Sequence, residues 1–411
     1  MLTRRGASRA LIAAAVAVAL STTGTLAADK VIKIGMDLSL TGADSEGAVR
    51  VRNGIMMAID GSNEGNGIPG YRIEPLVLDD GTATAGQYDP AQAATNARKM
   101  VSDKDVVAAI GPEMSGAGKA MTPILSAGGL ATITPSSTNP DITDPKFAQQ
   151  FRPAGKPIYF RTVTTDAFQG PNMANFYADV LKVKSVYILD DSGAYGVGMA
   201  DAFERQAGAK GMKVAGRDRL DPKAADYSAI LTKIKSLAPD AIYYGGVGQA
   251  GTKLAKQAYD IVPQMIKGGG DGVYGPTMLT SVGFPAANGW YATIASPHMV
   301  GDTKAQQFVD AYFRKYGKAA DDYTITAYDA TLVALDAIKR VVASGKPLTR
   351  EAVRDAIQAS KVPTIQGVVT FDANGDLADR TVSVFQIKQD TAARPDDVSR
   401  QYHYIGVAPQ S

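Results

Sequence analysis

From residue 31 onward, short apolar runs alternate with stretches whose apolar residues recur every three or four positions. Residues 31–38 (VIKIGMDL) form an apolar run of strand length, and residues 54–63 (GIMMAIDGSN) carry the spacing of one helix face. The pairing repeats with a strand at 71–78, a helix at 92–102, a strand at 106–110, a helix at 121–127 and a strand at 131–134. It resumes with a strand at 185–189, a helix at 199–208, a strand at 213–215, a helix at 227–237 and strands at 241–245 and 266–269. Strands separated by helical stretches indicate βαβ units on parallel sheets. Two such series predict two similar, doubly wound α/β lobes. Residues 158–165 and 292–297 read as short extended passages between them, and no repeat of 20–50 residues is visible.

The chain begins differently. Arg4, Arg5 and Arg9 precede an apolar run at 10–20, and Thr25-Leu26-Ala27 offers a small-residue cleavage site. This is the pattern of a secretory signal peptide, with a core too short to span a bilayer. Loss of that leader takes the formal net charge from +2 to −1, which gives no electrostatic case for nucleic acid or an anionic membrane. At 411 residues the chain has room for two cores, and with no cysteine it can form no disulfide, thiolate metal site or cysteine nucleophile. The two histidines, His298 and His403, are too far apart in sequence for a paired-histidine metal motif. No metal and no cofactor is expected.

In parallel α/β sheets ligands sit beyond the carboxyl ends of the strands, so the residues just after each strand carry the candidate chemistry. After 106–110 comes Gly111-Pro-Glu113-Met-Ser115-Gly. Here Ser115 either caps its helix or joins the free first-turn amides in holding an anion. After 131–134 comes Pro135-Ser136-Ser137-Thr138-Asn139-Pro140, which is either a plain turn or a second pair of hydroxyls for that anion. Tyr195 stands at a helix start in the second series. Asp271, between two glycines, is either a turn residue or the partner of a cation. Anion holders in one lobe and a carboxylate in the other would suit the two ends of an α-amino acid.

Several of these stretches, in this order, are similar to the Leu/Ile/Val-binding protein family, the type I periplasmic solute receptors of ABC importers. They are Leu38-Ser-Leu-Thr-Gly42, Gly111-Pro112 with Ser115, Thr134 to Pro140, and Arg161-Thr162 with Gln169-Gly-Pro171. To these are added Tyr195-Gly196, Tyr243-Tyr-Gly-Gly246 and Phe371-Asp-Ala-Asn-Gly-Asp376. The resemblance covers roughly residues 30–390. It implies two lobes joined by a three-strand hinge, closure over an amino acid, docking on a membrane permease, a monomer and a periplasmic location. It also implies roles for single residues. Ser115 and Thr138 fall where the family holds the ligand carboxylate, and Ser136 where a main-chain carbonyl receives the ammonium. Asp271 falls where relatives usually pair the ammonium with Glu, while Tyr195 and Tyr323 match aromatics of the cleft.

The side-chain end of the site departs from the pattern. Val247 and Gly47 stand where a branched-chain receptor has aromatics, and Glu113 where it has an apolar wall residue. Glu113 is expected to turn away from the cleft, because carboxylates seek the surface. The implied lobes are residues 28–164 with 296–366, and 165–295 with 367–411, crossing near 163–166, 294–297 and 365–368. A branched-chain or related aliphatic amino acid is the expected ligand. A receptor for an aromatic acid, an amide or a polar amino acid is the alternative, in transport or in sensing. An enzyme, an NAD-dependent oxidoreductase, has one sequence feature in its favour. Gly246-Val-Gly248-Gln-Ala-Gly251 follows a strand, with Asp271 twenty residues after Gly251, which is the written form of a dinucleotide fingerprint. It lies deep in the second series, not in the first βα turn, and no clustered general base accompanies it, so no catalytic residue is assigned. Asp372-Ala-Asn374-Gly-Asp376 resembles the start of a calcium loop, but lacks its later Gly and Glu and reads better as a hairpin turn.

Overall fold

The computed structural model describes residues 29–410; the expected signal peptide lies outside the described residues. The first sheet contains β1 (Lys30–Leu38), β2 (Tyr71–Asp79), β3 (Val106–Ile110), β4 (Thr132–Thr134) and β5 (Tyr159–Arg161), in the order β2-β1-β3-β4-β5. All of its pairings are parallel. The second sheet holds β6 (Ser185–Asp190), β7 (Lys213–Arg219), β8 (Ala241–Gly245), β9 (Ile266–Gly269) and β10 (Tyr291–Ile294). These run β10-β9-β8-β6-β7, also parallel. A hairpin of β11 (Val362–Thr364) and β12 (Gly367–Val369) follows. Then β13 (Ser383–Ile387) and β14 (Tyr402–Val407) extend the second sheet antiparallel beyond β10.

The two parallel sets are wound alike. In each, the first strand lies between the second and the third, so the strand order reverses between β1 and β3 and again between β6 and β8. A crevice opens beyond the strand ends at such a reversal. Helices cover both faces there, and every residue of β3 and β8 is buried. Alternate residues serve opposite cores. Tyr187, Leu189, Ile242 and Tyr244 pack on one side of the second sheet, and Val186, Ile188, Ala241 and Tyr243 on the other.

The stretch after β10 holds three helices that the alternation of runs does not announce, Gln306–Tyr316, Asp322–Ala343 and Arg350–Gln358. The longest is buried on most sides, which erases the amphipathic stripe a sequence reading relies on. It packs in the first-lobe core with Ile34, Val51 and Ile55. The passages 158–165 and 292–297 contain true strands, β5 at the edge of the first sheet and β10 at the end of the parallel part of the second. Two crossings lie side by side where the Thr164 N–H donates to Ala295 O at 2.8 Å. The third is placed later than 365–368. Val369, Phe371 and Leu377 still pack in the first-lobe core, so the chain crosses between Leu377 and β13. The apolar pattern there is too short to mark which lobe it serves. Asn374-Gly375 forms the expected turn, with Phe371 bridged to Leu377 and Gly375 at φ +99°.

Candidate functional site

Between the two reversal points lies a cavity of about 90 Å³, walled by both lobes. The first lobe supplies the loops after β1, β3 and β4, and the second those after β6, β8 and β9. Ser115, Ser136, Glu113, Gly47, Tyr195, Val247, Asp271 and Tyr323 all line it. Thr138 does not. It is fully buried beside the site, with its carbonyl accepting from Asp166 N–H at 3.0 Å.

The oxyanion-accepting end is built by the loops themselves. Ser115 opens the helix Ser115–Ala127, whose first-turn amides have no intrahelical acceptor. Its hydroxyl oxygen accepts from Asn139 N–H at 3.2 Å and lies 3.3 Å from Ser137 Oγ, leaving its own proton for an acceptor in the cavity. Ser115 therefore does not cap its own helix. Ser136 Oγ donates to Glu113 O at 3.0 Å, tying the β3 and β4 loops together. Beneath them the fully buried Arg161 donates to the Asp376 carboxylate at 2.8 Å, to Asn139 O at 2.8 Å and to Ser137 O.

Opposite stands Asp271. One oxygen accepts from Tyr195 Oη at 2.5 Å and Gln169 Nε2 at 3.0 Å, and the other from Tyr323 Oη at 2.5 Å. Burial raises its pKa, and these three bonds oppose the rise by stabilising the anion. Asp166, joined to it through Gln169, is also raised, by burial and by the Asp271 charge. The two buried carboxyls cannot both ionise easily, so the network favours one negative charge shared toward the cavity.

Glu113 faces the cavity, contrary to the expectation that it turns away. Its Oε2 is buried and accepts no hydrogen bond from any described residue. Its backbone is tied to Ser136 in the next loop, and its Oε1 lies toward Gly47 on the cavity wall. Burial, with the charges of Asp44 and Asp80, holds its carboxyl well above the ordinary range. A Cβ placed on Gly47 would meet only Glu113 Oε1, at 3.9 Å, so the missing aromatic does leave space there.

Asp44, Asp191 and Asp321 are site residues the sequence reading did not single out. Asp191 accepts from Gly193 N–H and Val247 N–H, both at 2.9 Å. Asp321 caps the helix Asp322–Ala343 in a reciprocal arrangement with Thr324. Asp44 precedes the helix Ser45–Glu64 yet makes no cap for it. Its Oδ1 instead accepts from Gly248 N–H at 3.2 Å, at the start of a helix in the other lobe. Further bonds cross the cleft from Asn139 Nδ2 to Ala194 O at 2.9 Å and from Thr277 Oγ1 to Ala43 O at 3.1 Å. The lobes are thus closed on one another.

Within the glycine run after β8, Gly248 serves this closure and Gly251 the packing inside its own lobe. A Cβ on Gly248 would lie 2.5 Å from Asp44 Oδ1 and 2.9 Å from Thr277 Cγ2. One on Gly251 would press the Tyr244 ring at 3.0 Å. Asp271, twenty residues on, is engaged by Gln169 and two tyrosines. Gly248→Val is expected to hold the lobes apart while leaving the unliganded fold intact. Ligand affinity should fall about tenfold or more, roughly 1.4 kcal/mol. Small-angle scattering should show no compaction on adding ligand; compaction equal to that of the unsubstituted protein would refute the contact's role.

Two wound lobes enclosing a polar cavity at their paired reversal points define a binding protein that closes on a small solute. The chain belongs to the periplasmic binding protein family, which matches residues 31–392. It is 32% identical to the Leu/Ile/Val-binding protein BraC3 of Rhizobium johnstonii, covering 86% of this chain and 91% of that one. It is 29% identical to the leucine-, isoleucine-, valine-, threonine- and alanine-binding protein of Pseudomonas aeruginosa, over 92% and 95% of the two chains. Among solved structures, the leucine-binding protein LivK of Thermotoga maritima shares 27% identity at a TM-score of 0.78, with 92% and 98% covered. A Rhodopseudomonas palustris receptor in complex with benzoate shares the fold at a TM-score of 0.76 and 19% identity, with 93% and 98% covered. Among the described residues no helix is long and apolar enough to cross a membrane, and no group of three or more His, Asp or Glu is placed to hold a metal.

Proposed function

We propose that this protein is an exported receptor that captures an α-amino acid between its lobes and delivers it to the permease of an ABC importer. The observation that carries the reading is the polarity of the cavity. Ser115, with its helix start, offers donors at one end, and the buried carboxylate of Asp271 offers acceptors at the other. An α-carboxylate and an α-ammonium would satisfy both at once. Asp271 takes the ammonium together with the Ser136 carbonyl, and Tyr195 closes over the ligand from the second lobe. Ligand contacts made by both lobes favour the closed form, which is how binding energy becomes a signal for docking. The named relatives support an amino acid as the solute class, and the leader supports export. In this reading the chain acts as a monomer.

A thermal-shift screen of the purified protein against amino acids and simple carboxylates tests the proposal. A ligand at 100 times its dissociation constant adds about 2.7 kcal/mol of stability. The proposal fails if only carboxylates without an amino group shift the transition. No reaction is assigned to the cleft, and a nicotinamide cofactor gives a direct check. NADH fluorescence should show neither enhancement nor blue shift with micromolar protein, whereas saturable binding lost in Gly248→Val would restore the oxidoreductase reading.

A further inference from the structure

We propose that the corner of the cleft bounded by Asp44, Gly47 and Glu113 receives a cationic group, so that the solute is an α-amino acid with a basic side chain. This rests on the amino-acid reading above and adds the charge of the side chain.

Five carboxylates line the cavity, from Asp44, Glu113, Asp191, Asp271 and Asp321, and no lysine, arginine or histidine does. Three of them are accounted for. Asp191 accepts two backbone amides, Asp271 accepts three side-chain donors, and Asp321 caps a helix with the Arg50 charge nearby. Asp44 and Glu113 are satisfied on one oxygen at most. Asp44 Oδ2 and Glu113 Oε2 are both buried without a hydrogen bond from any described residue, and the two charges repel one another.

Burying a carboxylate oxygen without a partner is costly, and an aliphatic side chain beside these two groups would leave an oxygen of each uncompensated. Burial pushes Asp44 up to about 6 despite its bond from Gly248, so its negative charge is costlier to hold in the closed cleft than in water, and a cation there would relieve that cost. An ammonium or guanidinium placed there would supply donors and opposite charge to both groups. Gly47 leaves the room for it, since nothing closer than Glu113 Oε1 stands where its Cβ would be. The same corner would repel an acidic side chain.

Titration calorimetry with L-leucine, L-glutamine, L-lysine, L-arginine and 1,5-diaminopentane tests the assignment on the unsubstituted protein, Glu113→Gln and Asp44→Asn. Asparagine retains an acceptor for Gly248 N–H, so that variant removes charge without removing the closure contact. Lysine or arginine should bind at least about 30-fold more tightly than leucine, the effect of roughly 2 kcal/mol from a buried charge pair. Each variant should lose about tenfold or more for the basic ligand and little for leucine. If leucine or glutamine outcompetes both basic amino acids on the unsubstituted protein, the cationic corner is wrong while the amino-acid reading stands. If none of the four amino acids binds and the thermal-shift screen yields only acids lacking an amino group, both are wrong. Diaminopentane binding as tightly as lysine would uphold the corner and remove the carboxylate end instead. Because the ranking on the unsubstituted protein decides, failure of a variant to fold does not shelter the proposal.

Discussion

Asp271→Ala is expected to weaken amino-acid binding by about 2–5 kcal/mol, since it would leave a ligand ammonium buried opposite no charge. It should also cost stability without ligand. Tyr195, Tyr323 and Gln169 all donate to this carboxylate, and losing a buried acceptor costs about 1–3 kcal/mol. Read from sequence as a free cleft carboxylate, Asp271 would have carried no folding role. Asp271→Asn goes part of the way to separating the two effects, because it keeps an acceptor for one tyrosine hydroxyl, offers an N–H to the oxygen of the other, and loses the charge. Calorimetry and chemical unfolding on both variants give the answer, and unchanged affinity for the best amino-acid ligand in either would remove Asp271 from the ammonium site.

The largest loss of stability is expected from Arg161→Ala, which leaves the buried carbonyls of Ser137 and Asn139 unpaired at about 1–3 kcal/mol each. Arg161 has no exposed surface and joins Asp376, beyond the β11–β12 hairpin, to the carbonyls of Ser137 and Asn139. Without it, the carbonyls of Ser137 and Asn139 lose their donor, Asp376 keeps only the Thr143 hydroxyl among the described residues, and the loop holding Ser136 loses its floor. Affinity should therefore fall together with the unfolding midpoint. Arg161→Lys should recover little of either, because one ammonium cannot reach the fork of acceptors that a guanidinium spans. A lysine variant as stable as the parent would show that the pairing is incidental.

Much of the scaffold was legible because β3 and β8 are continuous apolar runs and the helices between strands keep a clear face. The positions after those strands could be named from the general behaviour of parallel sheets, and Ser115, Ser136, Tyr195, Val247 and Asp271 line the cavity. Glu113 was misjudged by a rule about average carboxylates, which has no knowledge of the loop that points this one inward. The later crossing between the lobes was misplaced because Val369, Phe371 and Leu377 have the same apolar character whichever core they enter.

Local sequence determined where strands and helices form, since periodicity and turn residues act over a few positions. It also determined the absence of thiol chemistry and the donor-rich loop around Ser115. Only the tertiary structure decided which donors meet which acceptors. Asp44 before a helix reads as that helix's cap, yet its carboxylate bonds the start of another helix 204 residues away, across the cleft. Gly248 reads as part of a phosphate-binding turn, yet its missing side chain makes room for that same carboxylate. Hydrogen bonds and close contacts between distant segments depend on how two lobes meet, and no pattern within either segment encodes that meeting.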